Sequence, residues 1–411
     1  MLKGQKMINT RREFIRLFGT AAALIGSPAL VRAQQEAFRI AALCSVTGSG
    51  SPYGSGMQKM IIAAAEAVNA AGGAAGRRLE VISEDDQTSP QSGVLAAKKL
   101  IEVNNVRAIL GTWASGVTLA VAPLTNDADI PIMHTSAAPA LSVPPANTKG
   151  LGYRFQATND HFGAAFAEVC ARQGFKRVAT MAFNNAAGVA TANGFRKAWE
   201  AKGNKVVESV VYEPNQPSYR SELQKVLAAK PDAIVPGSYL ADTTILLREW
   251  YQSGEQVKWV LPGWAASPEL VKAVGPELME GMISVDSVSN VDAPSFKAYD
   301  EAYRKAMGQP GTSNVYAAMT WDMVHALALA IEAANATDTA AINAKIREVC
   351  NPPGEKVYTY SEGKAALKKG KINYEGASSI LDFDKFGDVT PAFGVYFIEG
   401  GKFNPRYVVK M

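Results

Sequence analysis

The sequence predicts an α/β protein of two lobes, each a mostly parallel sheet flanked by helices, behind an amino-terminal export segment. Three observations carry this. Strand-like and helix-like runs alternate with regularity from Phe38 to Val285, the signature of βαβ units around a parallel sheet. One series of runs ends, and a second begins, just after Tyr153–Gln156. Ahead of both, residues 1–33 have the layout of an export signal rather than of a folded element.

In that segment Lys3 and Lys6 precede Thr10-Arg11-Arg12-Glu13-Phe14-Ile15-Arg16, and an apolar run follows from Leu17 to Leu30. The run closes on Val31-Arg32-Ala33, small residues where a signal peptidase reads, and the paired arginines mark the twin-arginine type. Glycine and proline interrupt the run, and it is short for a membrane span. No cysteine stands at the cleavage junction, which argues against a lipid anchor there. The whole chain carries +4 and this segment +5, so the mature protein carries about −1. A near-neutral surface gives no electrostatic reason to expect nucleic acid or an anionic membrane as partner. Cys44, Cys170 and Cys350 are odd in number and far apart, so no disulfide framework is expected.

The first series begins with an apolar run at Phe38–Cys44 and a helical stretch at Gly54–Ala71 that stops at Gly72-Gly73. Leu79–Ser83 is the next strand, and Ser89-Pro90 starts a helix with serine as cap and proline in the first turn. Val106–Leu110, a helix from Val117 and Ile130–Met133 continue the alternation. The second series predicts helix Phe162–Gln173, strand Val178–Phe183, helix Gly194–Lys202, strand Lys205–Val211, helix Tyr219–Ala229 and strand Ala233–Val235. Helix Thr243–Ser253, strand Trp259–Leu261, helix Glu269–Val274 and strand Met282–Val285 complete it. Residues Phe296 to Ala334 are helical twice over, broken at Gly308–Gly311, and the tail reads as strands at Leu381–Phe383 and Ala392–Ile398. Sheets of this kind bind ligands beyond the carboxyl ends of their strands.

Short segments then fall in a familiar order: Thr47-Gly48, Tyr53-Gly54, Asn69-Ala70-Ala71-Gly72-Gly73 with Gly76-Arg77, Glu84-Asp85-Asp86-Gln87 and Ser115-Gly116-Val117-Thr118. With the closing Asn373-Tyr374-Glu375-Gly376-Ala377 and Asp382-Phe383-Asp384, the chain resembles the branched-chain amino acid-binding (leucine/isoleucine/valine-binding-like) periplasmic solute-binding proteins of ABC transporters. The resemblance implies a type I periplasmic binding protein fold with three interlobe crossovers. Lobe 1 is expected at residues 36–156 plus 287–388 and lobe 2 at 157–286 plus 389–411. It also implies a monomer without cofactor that closes on a small carboxylate ligand, in the periplasm, and delivers it to a membrane permease.

The glycine-rich loop Gly48-x-Gly50-x-x-x-Gly54 invites a nucleotide reading, but a dinucleotide fingerprint needs two residues between its last glycines, and Pro52 and Tyr53 would crowd a pyrophosphate. The resemblance instead makes this loop a cleft wall with Tyr53 as its aromatic face. Thr112-Trp113-Ala114-Ser115-Gly116 follows a strand and opens a helix, so backbone N–H groups and the Ser115 hydroxyl converge on a carboxylate site. By resemblance Ser115 holds the ligand carboxylate, Trp113 supplies an apolar contact, and Ala137 and Ala138 offer backbone donors in a second carboxylate loop. The bland alternative makes Ser115 a helix cap.

Amino acid-binding relatives keep a tyrosine where this chain has Ala187, and a second tyrosine position falls near Ser238 or Tyr239. The acid that neutralises their ligand's ammonium should lie near Trp264, yet Pro262-Gly263-Trp264-Ala265 contains none; Asp242 is the nearest alternative acid. A buried ammonium without a counter-charge costs several kcal/mol. The expected ligand therefore has a carboxylate and an apolar or aromatic body, stacked by Tyr53, Trp113, Trp264 and Tyr316. A branched-chain amino acid is the alternative within the fold, and a periplasmic hydrolase of small amides or esters is the rival from another class. Catalysis finds little support: Ser115 lacks the Gly-x-Ser-x-Gly spacing, and His134, His161 and His325 show no metal-ligand spacing.

Overall fold

A computed structural model describes residues 36–411; the export segment expected at 1–33 lies outside the described residues. The chain runs β1 (Phe38–Cys44), α1 (Ser51–Ala70), β2 (Leu79–Asp85), α2 (Pro90–Lys98), β3 (Ile109–Leu110), α3 (Ser115–Asp127), β4 (Ile132–His134) and β5 (Gly152–Arg154). It continues through α4 (Asn159–Arg172), β6 (Val178–Phe183), α5 (Ala186–Ala201), β7 (Val206–Tyr212), α6 (Arg220–Ala228) and β8 (Ala233–Gly237). Next come α7 (Leu240–Ser253), β9 (Lys258–Pro262), α8 (Pro268–Val274) and β10 (Ile283–Ser287). The remainder is α9 (Pro294–Met307), α10 (Val315–Ala334), α11 (Thr339–Cys350), β11 (Glu355–Val357), α12 (Tyr360–Ala366), β12 (Ile372–Tyr374), β13 (Phe393–Glu399) and β14 (Lys402–Val409).

Two principal sheets result. The first is five-stranded and parallel, in the order β2-β1-β3-β4-β5, with Phe38 opposite Leu79 and Ala41 opposite Ile109. The second is seven-stranded, β14-β13-β10-β9-β8-β6-β7, parallel except where β13 and β14 return antiparallel at the edge. The strand order reverses between β1 and β3 in one sheet and between β6 and β8 in the other, and those switch points open crevices at the carboxyl ends. The chain passes between the sheets three times, after Arg154, after Ser287 and after Asp388. Among the described residues no helix is long and apolar enough to cross a membrane.

The glycine-rich loop is explained by packing. A Cβ on Gly54 would lie 1.9 Å from the Ser45 carbonyl oxygen, so only glycine lets α1 start against the end of β1. Cys44, Cys170 and Cys350 are buried and unpaired. His325 is a core residue whose Nδ1 lies 2.9 Å from the Trp321 carbonyl, and burial lowers its pKa to about 4.

Several expectations need correction. β3 is only Ile109–Leu110: Val106 turns its N–H back to Leu100, while Arg107 and Ala108 still bond Arg39 and Ala41 of β1. Helix α5 begins eight residues before the expected Gly194, capped by the Asn185 side chain on the Gly188 N–H. Its first turns are mostly small residues, which give no apolar stripe to read. Leu381–Phe383 is not a strand: Leu381 sits at φ +59°, and Phe383 donates its N–H to Asn351 Oδ1.

Candidate functional site

Most of the cleft residues lie just past strand ends. Trp113 and Ser115 follow β3, Thr135 and Ala137 follow β4, and Gln156 and Asn159 follow β5. From the second sheet come Ala187 after β6, Tyr239 after β8 and Trp264 after β9. Phe162 of α4 and Tyr316 of α10 close the sides of the cavity. None of these lining residues is charged.

The first-sheet wall is polar and braced. Helix α3 starts with Ala114 as its cap residue and no side-chain cap, so its first N–H groups have no side-chain acceptor. Ser115 is therefore inside the first turn and is not the cap. Its Oγ accepts the Ala138 N–H at 3.2 Å, which ties the loop after β3 to the loop after β4. The Ser136 hydroxyl strengthens that tie, reaching the Trp113 carbonyl at 2.9 Å and Thr118 Oγ1 at 2.5 Å. Behind the loop the fully buried Arg154 donates to the carbonyls of Ser136 and Ala138 (3.0 Å for the latter) and to Ser142 Oγ at 2.8 Å. Its Nε donates to Asp388 at 2.9 Å. With those carbonyls held backward, no acceptor among the described residues takes up the Ala137 N–H.

The second-sheet wall is apolar and aromatic. Trp113 and Tyr239 meet across the cleft at 4.9 Å between centroids, and Phe162 meets Trp264 edge-on at 4.9 Å. Trp264 is fixed by its Nε1–H, which donates to the Ser238 carbonyl at 3.0 Å. The Tyr53 hydroxyl donates to the Trp264 carbonyl at 3.1 Å, a direct link from the first sheet's loops to the second's.

Of the nine residues singled out in the sequence, the structure places Trp113, Ser115, Ala137, Tyr239, Trp264 and Tyr316 on the cavity. The other three expected residues stand one contact behind it. Tyr53 packs against Tyr316 (4.9 Å) and Trp113 (5.7 Å) and carries the latch to Trp264. Ala138 spends its N–H on Ser115, and the Ser238 hydroxyl pairs with Thr243 at 2.7 Å. Sequence reasoning missed Gln156, Asn159 and Phe162. They sit on the first passage between sheets, where position alone, not a motif, signals a ligand contact.

An acid does approach the Trp264 loop, from the neighbouring strand. A Cβ on Gly263 would fall 2.3 Å from the Asp286 carboxyl, which explains the glycine. Burial pushes that carboxyl up to about 7, and it accepts a hydrogen bond from the Ser287 N–H at 2.7 Å. Asp286 is not part of the cavity lining. Asp242, the acid suspected from sequence, is 5% exposed, accepts the Tyr219 hydroxyl at 2.7 Å and also lies off the cavity.

Comparison with known proteins gives the family and the fold. A family described as "Periplasmic binding protein" matches residues 37–354. A Leu/Ile/Val-binding protein homolog of Brucella melitensis is 26% identical over 372 residues, spanning 88% of this chain and 92% of its own length. A leucine-binding protein of Thermotoga maritima superposes with a TM-score of 0.78 at 23% identity, over 90% of this chain and 98% of that one. A solute-binding protein of R. palustris, solved with benzoate, gives 0.74 at 19% identity over 91% and 96%.

Proposed function

This chain belongs to the periplasmic binding protein family, and we propose that it is the solute-capturing component of an ABC-type importer for a small carboxylate with an apolar or aromatic body. Lobe 1 comprises residues 36–156 plus 287–388 and lobe 2 residues 157–286 plus 389–411. Ligand is clamped between them and presented to a membrane permease by the closed monomer, without catalysis. The observation that carries this is the asymmetry of an uncharged cavity. Donors without protein acceptors gather at the α3 amino terminus and at Ala137, while the opposite wall is Ala187, Tyr239 and Trp264. A carboxylate is stabilised by the first wall, and a ring or branched chain fills the second.

A second reading, a branched-chain amino acid, has support from the Leu/Ile/Val-binding relatives and from Asp286 lying against Gly263. It requires that acid to ionise and reach past the lining residues. Calorimetry with matched pairs, phenylacetate against phenylglycine and 4-methylpentanoate against leucine, separates the two. The plain acids are expected to bind more tightly by about 2 kcal/mol, the cost of a poorly compensated ammonium. Tighter binding of the amino acids transfers the site to the second reading.

The place of action is the periplasm, reached through the Arg11-Arg12 signal. Replacing that pair by Lys-Lys should leave unprocessed precursor in the cytoplasm. Undiminished export of the variant would assign the signal to the general secretory route.

A further inference from the structure

The first passage between the sheets carries two carboxamides, Gln156 and Asn159, each 1% exposed and each lining the cavity. Their orientations are fixed by what their neighbours can donate. The Thr191 hydroxyl gives its proton to the Ala187 carbonyl at 2.8 Å, so toward Asn159 it can only accept. Asn159 therefore faces Thr191 with Nδ2, at 2.8 Å, and its Oδ1 is left buried with no donor. On Gln156, Oε1 accepts the Ala157 N–H at 2.7 Å and the Ser287 hydroxyl, which leaves Nε2 buried with no acceptor. Thr135 Oγ1, in the carboxylate loop, is likewise buried and unpartnered. Buried polar groups are almost always paired, and an unpaired one costs about as much as a lost hydrogen bond. Here three unpaired side-chain groups line one cavity.

Two of them, Gln156 Nε2 and the Thr135 hydroxyl, can donate to a ligand carboxylate. The third differs in sign: Asn159 Oδ1 needs a donor. Its place is also set, because the Asn159 N–H bonds the carbonyl of Ala137 in the carboxylate loop at 2.7 Å. We propose that the ligand carries a neutral hydroxyl close to its carboxylate, and that Asn159 reads that hydroxyl as an acceptor. This rests on the carboxylate reading above and narrows it to hydroxy acids substituted next to the acid group. An uncharged hydroxyl suits the site better than an ammonium, because no lining residue is an acid.

The test is calorimetry on one carbon frame, with phenylacetate, both enantiomers of mandelate, and their O-methyl ethers. It is repeated on 4-methylpentanoate and its 2-hydroxy derivative. One mandelate enantiomer should bind about tenfold more tightly than phenylacetate, and its methyl ether, which cannot donate, should lose that gain. Asn159→Leu should erase the hydroxyl advantage, read as the ratio of mandelate to phenylacetate affinity within the variant. Should Asn159→Leu fold poorly, Thr191→Val frees the carboxamide to turn over and should shrink the same advantage. Plain and hydroxylated acids binding equally would overturn the inference and leave the carboxylate reading standing, as would an advantage that survives both variants. If no acid on either frame binds, both fall together.

Discussion

The two walls of the cavity are built on opposite plans. On the first-sheet side, Ser115, Thr135 and Ala137 sit on loops cross-tied to one another and anchored from behind by the buried Arg154–Asp388 pair. On the second-sheet side, Ala187, Tyr239 and Trp264 present methyl and ring surface, and the nearby acid, Asp286, stands behind the lining and accepts a hydrogen bond from the Ser287 N–H. A carboxylate needs several donors held at fixed angles, so the wall that binds it must be rigid. An apolar body needs only shape, and shape changes with one side chain. Under the function proposed above, the first wall sets the ligand's class, and the second sets which member of the class is taken.

The largest effect expected from breaking this contrast is at Asp388. Asp388→Asn removes the counter-charge of a guanidinium with no solvent exposure, which should cost about 3 kcal/mol in urea unfolding. The carboxylate loop should loosen with it and weaken binding of every acid alike. A loss below about 1 kcal/mol would mean that the first wall is not anchored from behind and that the contrast is only one of polarity.

Ser115→Ala comes next. The hydroxyl joins the loops after β3 and β4 through the Ala138 N–H and stands at the uncapped start of α3. Its removal should weaken phenylacetate binding by about 1–3 kcal/mol with little change in melting temperature. The affinity of a neutral analogue such as phenylacetamide should scarcely move. Equal losses for acid and amide would show the serine to be a strut between loops rather than a carboxylate contact.

How much of this could be read from the sequence follows from the same contrast. The first wall was legible because a short strand followed by Trp113-Ala114-Ser115-Gly116 and a helix puts donors at one point whatever the rest of the chain does. The alternation of strands and helices was legible for the same local reason. Asn159 was not, because its role depends on Thr191, thirty-two residues away, turning its own proton elsewhere. Asp286 was hidden by topology. It follows Trp264 by twenty-two residues, and only the pairing of β9 with β10, Leu261 opposite Ser284 and Pro262 opposite Val285, carries it to Gly263. Tyr53 was read as the aromatic face of a cleft wall; that its ring also packs on Tyr316 and its hydroxyl bonds the Trp264 carbonyl depends on contacts far along the chain.

The smallest expected effect bears on what Asp286 does for the second wall. Its carboxyl is pushed up to about 7 by burial, whereas an aspartate in the unfolded chain loses its proton near 4. Between those values the folded protein holds a proton that the unfolded chain has released, so stability falls as pH rises through that window and levels off above it. Phenols of Tyr53, Tyr316 and Tyr396 face the group and do not titrate there. Asp286→Asn keeps the shape and cannot ionise, so its melting temperature should fall less than the wild type's between pH 5 and pH 8, with the two curves parallel above that. Parallel curves throughout would show that Asp286 is well solvated. Ligand binding adds a second reading of the same group. An ammonium placed against Asp286 would favour its ionised form, so amino acid affinity would climb as pH rises toward 7 and that climb would vanish in Asp286→Asn. For a hydroxy acid held by Asn159 the carboxyl of Asp286 stays a bystander, and affinity across the same window should follow the stability of the closed form alone.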